Sequence, residues 1–209
     1  MASDEILWVS RPEHIRALAS PMRQRVLDRL EAIGPCSVRD LAASLNVAAD
    51  SLYYHLRQLE RIGLLVVGRR RPRRGRREEA VLRLRSTNWR ISYEPSDPRT
   101  ASAVLKVGRT ILRQAQRDFA AGLRHPRATT RGPLRNLWAL RLEGSLKPRE
   151  VRRINVHLTA ILEILRQGGR DPGEGLLAVS WLLAPIDPLG GRRRAAVKTG
   201  AETRERRET

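Results

Sequence analysis

The stretch that decides the fold is Ala49-Asp50-Ser51-Leu52-Tyr53-Tyr54-His55-Leu56-Arg57-Gln58-Leu59-Glu60-Arg61-Ile62-Gly63-Leu64-Leu65-Val66-Val67. Leu52, Leu56 and Leu59 fall at steps of four and three, so they share one face of a helix running from Ala49 to about Ile62. Gly63 closes that helix. Beyond it the period changes, and 64–67 reads as a strand.

Upstream, the same logic yields three more starts. Ser10 with Glu13 makes a capping box, with Pro12 in the first turn and Ile15 and Leu18 on one face. Ser20-Pro21 opens a second helix carrying Val26, Leu27, Leu30 and Ile33, which Gly34-Pro35 ends. Ser37 and Asp40 form another box before Leu41 and Leu45, and Asn46-Val47 is the turn. Downstream, Ala80, Leu82 and Leu84 alternate with Val81, Arg83 and Arg85, the period of a second strand. Helix, helix, turn, helix and hairpin is the order of a winged helix-turn-helix, expected over residues 8–93.

The inward leucines define the outward side of the Ala49–Ile62 helix: Asp50, Ser51, Tyr53, Tyr54, Arg57 and, nearer one edge, His55. In such a motif the start of this helix enters the major groove of double-stranded DNA. Arg57 suits a bidentate base or phosphate contact. The tyrosines suit phosphates through their hydroxyls and thymine methyls through their rings, and Ser51 suits either kind of edge. Asp50 suits a cytosine amine or the helix dipole. The hairpin tip carries Arg69, Arg70, Arg71, Arg73, Arg74, Arg76 and Arg77 around Pro72 and Gly75. So dense a row of like charges is relieved by phosphates, and follows a backbone rather than reads bases.

Ala17-Leu18-Ala19-Ser20-Pro21-Met22-Arg23, Val26-Leu27 and the run from Tyr54 to Leu64 resemble the DNA-binding domain of ArsR/SmtB-type regulators. The resemblance covers about residues 10–90. It implies a winged-helix homodimer that occupies an operator and is released or retained by a ligand; nothing in the residues identifies that effector. Two departures stand out. Metal-sensing members often carry paired thiolates where this chain reads Ser37-Val38-Arg39, and a soft metal needs several thiolates together, so that site is absent. Ala48 takes the usual Ser or Thr cap position, leaving Asp50 or Ser51 to satisfy the first amides.

The second half is less explicit. Asp97-Pro98 opens a long helix, with Val104, Val107, Ile111, Ala115, Phe119 and Leu123 as a stripe. Residues 97–124 are expected to pack against a second copy or against the chain's own C-terminal part. Residues 134–142 alternate as a strand, Pro148 and Glu150 open a helix ending at Gly168-Gly169, and 175–183 is a buried-strand run. Together they make an expected α+β accessory region over 134–187, and 188–209 reads as a disordered basic tail. This half resembles the accessory region of longer ArsR-type regulators, with Leu-Lys-Pro-Arg-Glu at 146–150 in place of a Leu-Thr-Pro-Glu-Glu helix start. The fold class is mainly α with small β elements.

Composition sets the outer bounds. Across 209 residues, 41 Lys and Arg against 22 Asp and Glu give a formal charge of +19, which draws the chain to polyanions. One cysteine, Cys36, rules out an internal disulfide framework. No run approaches the ~18 apolar residues of a membrane span, and the N-terminus is acidic before it is apolar, the reverse of a secretory signal. The expected setting is the cytoplasm. His14, His55, His125 and His157 have no carboxylate or thiolate at metal-ligand spacing, and neither a phosphate loop nor a nucleophile elbow occurs. No metal, cofactor or catalysis is expected. Two other readings remain open: a non-specific nucleic-acid-binding or chromosome-associated protein, and a dimer scaffold that has lost DNA binding.

Overall fold

The chain is described by a computed structural model covering residues 6–70, 79–168 and 175–186. Strand β1 (Leu7–Val9) enters helix α1 (Pro12–Leu18), whose N-cap is Arg11 without a side-chain cap. The expected Ser10–Glu13 box is therefore not used: Pro12 takes the first helical position, where its missing amide costs nothing, and that places Ser10 one residue too early. Helix α2 (Pro21–Ile33) starts after Ser20 and stops at Gly34, whose φ of 77° suits a residue without Cβ.

The box at Ser37 forms as expected. Asp40 N–H donates to Ser37 Oγ at 3.1 Å, and Ser37 N–H donates to Asp40 Oδ2 at 3.4 Å, opening α3 (Val38–Leu45). Asn46 then adopts the left-handed conformation (φ 53°, ψ 54°) and turns the chain. Arg25 reinforces the corner, donating from Nη2 to the Leu45 carbonyl at 2.7 Å, one of the α3 end carbonyls that no helix bond reaches. A 3-10 turn (Ala49–Leu52) leads into α4 (Tyr53–Arg61).

Gly63 (φ 76°) redirects the chain into β3 (Leu65–Arg70), which pairs antiparallel with β4 (Glu79–Leu84), Leu65 facing Leu84 and Arg70 facing Glu79. The two-residue strand β2 (Cys36–Ser37) joins the other side of β4, giving the order β2-β4-β3. A second small sheet pairs β1 parallel with β5 (Trp89–Ile91) and ties the N-terminus to the exit of the wing. Neither β2 nor this parallel pair is visible in the sequence, because two- and three-residue strands carry no period.

One core holds these pieces. Ile15, Leu18, Val26, Leu27, Leu41, Leu52, Leu59 and Leu82 are almost wholly removed from water, each such side chain stabilising by roughly 1.5–3 kcal/mol. Helix α5 (Pro98–Gly122) completes it. Asp97 caps its start by accepting from Arg99 and Thr100 N–H, and these contacts hold its carboxyl below the usual range. Ala103 and Val107 enter the core, and Thr110 Oγ1 donates to the Ala19 carbonyl at 2.9 Å.

Beyond Val107 no hydrophobic residue is buried among the described residues. Helix α6 (Pro148–Gln167) forms where expected, with Lys147 N–H donating to Glu150 Oε2 at 2.6 Å, yet none of its residues is fully buried, and only Glu150, Ile154, Leu158, Leu162 and Arg166 are half-covered. The expected strands at 134–142 and 175–183 do not form: neither stretch joins a ladder. Apolar alternation creates a face to bury, but a strand exists only with a neighbour to bond, and the described residues bring none to either run. The expected tail at 188–209 lies outside the described residues. Among the described residues no helix is long and apolar enough to cross a membrane.

Candidate nucleic-acid interface

Helix α4 and the 3-10 turn before it show two sides, as the leucine spacing requires. Leu52, Leu56 and Leu59 are buried, while Asp50, Ser51, Tyr53, Tyr54 and Arg57 are exposed. Tyr54 is the most open of the aromatics there, at 62% of its full area, and Tyr53 stands at 47%. Two adjacent tyrosines on a solvated surface present apolar rings and hydroxyl donors together, the combination found where a protein face meets a polar partner.

The helix start differs from the expectation in one respect. No side chain caps the amides after Ala48. Ser51 turns back, its N–H and Oγ both donating to the Ala48 carbonyl, at 3.2 and 2.7 Å. The first amides of this helix therefore remain open to an outside acceptor, and a phosphate oxygen is the acceptor that helix N-termini favour. Ser51 itself keeps its oxygen lone pairs free to accept.

His55 is placed apart from the rest. It is half-buried, its Nδ1 is enclosed without a hydrogen-bond partner, and its ring meets Tyr54 edge-on at 5.4 Å. Burial first, and the nearby Arg23 charge second, hold its pKa below the ordinary histidine value, so it is neutral at physiological pH. Arg23, on the first turn of α2, was not among the residues expected at the interface. Its guanidinium donates from Nε to the Ala17 carbonyl and lies within the electrostatic reach of Tyr54 and His55. Its signal was its place in the Ala17–Arg23 motif rather than any periodicity.

The wing begins where the alternation placed it. Arg69 and Arg70 end β3, opposite Ala80 and Glu79. Arg71, Arg73, Arg74, Arg76 and Arg77 lie outside the described residues. On β4, Leu82 is buried while Arg83 is exposed, as is Arg85 just after the strand, two further cations at the hairpin that had not been counted as contacts. Cys36 lies on the opposite edge of this sheet. Burial, then Asp40, pushes its thiol up to about 11, so it stays protonated and unreactive at neutral pH.

No curated protein matches the chain. Residues 18–68, from the end of α1 to the middle of β3, match the family model of a helix-turn-helix domain, the architecture of DNA-binding transcription regulators.

Proposed function

We propose that the chain is a homodimeric, sequence-specific DNA-binding transcriptional regulator, a cytoplasmic repressor of the ArsR type without the thiolate metal site, and not an enzyme. The observation that carries this reading is the solvent-facing side of α4, where Tyr53, Tyr54 and Arg57 are exposed above a row of fully buried leucines. Tyr53 and Arg57, one helical turn apart, reach into a major groove, and the uncapped amides of Ala49 and Asp50 meet the phosphate beside it. Arginines of the wing lie along the flanking backbone and add affinity rather than base preference. A dimer places two such helices ~34 Å apart, in successive grooves of a near-palindromic operator.

The net charge of +19 favours a second reading, non-specific nucleic-acid binding. Selection of bound fragments from genomic DNA separates the two. Enrichment of one near-palindromic sequence is the expected result, and recovery in proportion to the input DNA would remove the regulator.

A further inference from the structure

Residues 134–142 and 175–183 have the chemistry of a sheet and no sheet. Leu134, Leu142, Leu140 and Leu177 are 83, 80, 71 and 63% exposed, whereas the large apolar side chains of α2, α3 and α4 are mostly buried. The open apolar side chains between 134 and 186 amount to on the order of 1,500 Å², against the ~800 Å² that each partner gives to a standard interface.

Their placement is specific. A Cβ at Gly122 would lie 3.1 Å from Leu137 Cδ1, one at Gly108 would lie 4.0 Å from Leu182 Cδ1, and one at Gly175 would lie 3.4 Å from Arg127 Nη1. Leu182 thus sits beside Gly108 of α5, and Gly175 beside Arg127, past the end of that helix. Among the described residues the backbone of the 175–183 run joins no ladder. Such an open edge is a template for strand addition.

A second copy is the occupant that fits. A two-fold axis pairs a strand with its own equivalent, and the pairing is necessarily antiparallel. The run Gly175-Leu176-Leu177-Ala178-Val179-Ser180-Trp181-Leu182-Leu183 is apolar on both faces, the character of a central strand. In contrast, 134–142 carries Arg135 and Arg141 on one side and belongs at an edge. We infer that residues 175–183 pair antiparallel with the same residues of a second copy, forming the centre of a sheet shared by two chains. The inference rests on the homodimer reading above and adds the segment through which the copies join.

The test uses the full chain with Cys36→Ser and single cysteines introduced in turn at positions 177–182. Each variant is oxidised mildly, run on non-reducing gels and weighed by light scattering. The expected result is a disulfide dimer confined to one position, or to two positions two residues apart, at least tenfold above the others. Leu177→Lys should raise the dimer dissociation constant at least tenfold while the helix-turn-helix core melts unchanged. A dimeric protein with no preferred cross-linking position overturns the inference and leaves the homodimer standing. A monomer in the unsubstituted chain overturns both.

Discussion

Arg166 Nε donates to Glu31 Oε1 across 3.0 Å, joining the last turn of α6 to α2, 135 positions earlier in the chain. The other ion pairs among the described residues are local, Arg141 with Glu143 and Arg149 with Glu150. This contact is thus the charged link between the C-terminal half and the helix that supports the recognition helix. Both partners are substantially shielded from water, at 22 and 30% side-chain exposure, so the pair is less screened than a surface one. A double-mutant cycle with Arg166→Met and Glu31→Gln, read by denaturant unfolding, should give a coupling of about 1 kcal/mol. Amide exchange along α6 should accelerate in either single variant, and a coupling near zero would mean the contact is incidental.

Asp28 sits on the same helix, beside Glu31 and within reach of Asp118. Its carboxyl is pushed up to about 6, by loss of water first and by those two charges next, against a smaller pull from Arg29. A carboxylate whose pKa is raised in the folded state costs stability when ionised, and the cost is relieved as pH falls through 6 towards the ordinary value near 4. Asp28→Asn should therefore raise Tm at pH 7.5, with the gain over the parent shrinking to nothing near pH 4. An equal gain at both pH values would assign the effect to packing instead.

Ser37 links the cap of α3 to the short strand that meets the wing. Its Oγ accepts from Asp40 N–H and donates to Asp40 Oδ2 at 2.8 Å, and the residue is buried. Ser37→Ala should cost about 1 kcal/mol, or ~2–4 °C in Tm for a chain of this size. Ser20→Ala should cost much less, since Ser20 makes no side-chain cap bond. Thermal melts of the two variants side by side decide whether the box or the residue type matters.

These contrasts show how far the residues could be read in advance. Helices α2, α3, α4, α5 and α6 were legible because each joins a start signal to a run of apolar residues at helical spacing, as Pro21 does with Val26, Leu27 and Leu30. The exposed side of α4 followed from its leucines by subtraction. The hydrogen bonds from Arg25 to Leu45 and from Thr110 to Ala19 were not legible, because they join residues 20 and 91 positions apart with no local mark. The misreading of 134–142 and 175–183 has a different cause. Alternation reports which side of a segment avoids water, and it is silent on where the hydrogen-bonding neighbour comes from.

Wing and helix should separate in salt dependence. Replacing Arg71, Arg73 and Arg74 by Ala removes phosphate contacts, each lowering the slope of log K against log salt by about 0.9. Affinity should fall similarly on every duplex. Tyr53→Phe and Arg57→Ala should leave the slope within about one unit and change which bases are preferred, by ~1–3 kcal/mol at the affected pair. Binding isotherms on a panel of duplexes between 50 and 200 mM salt measure both, and equal losses on all sequences for the helix variants would contradict the division.

The most direct test of the account is competition at 150 mM salt between a duplex selected from genomic DNA and random duplex, for the parent chain and for Arg57→Ala. A regulator whose α4 surface reads bases should favour the selected duplex by at least ~10³, and Arg57→Ala should erode that ratio by about tenfold or more. A ratio near one for the parent chain, or a ratio untouched by Arg57→Ala, Tyr53→Phe and their combination, would contradict it.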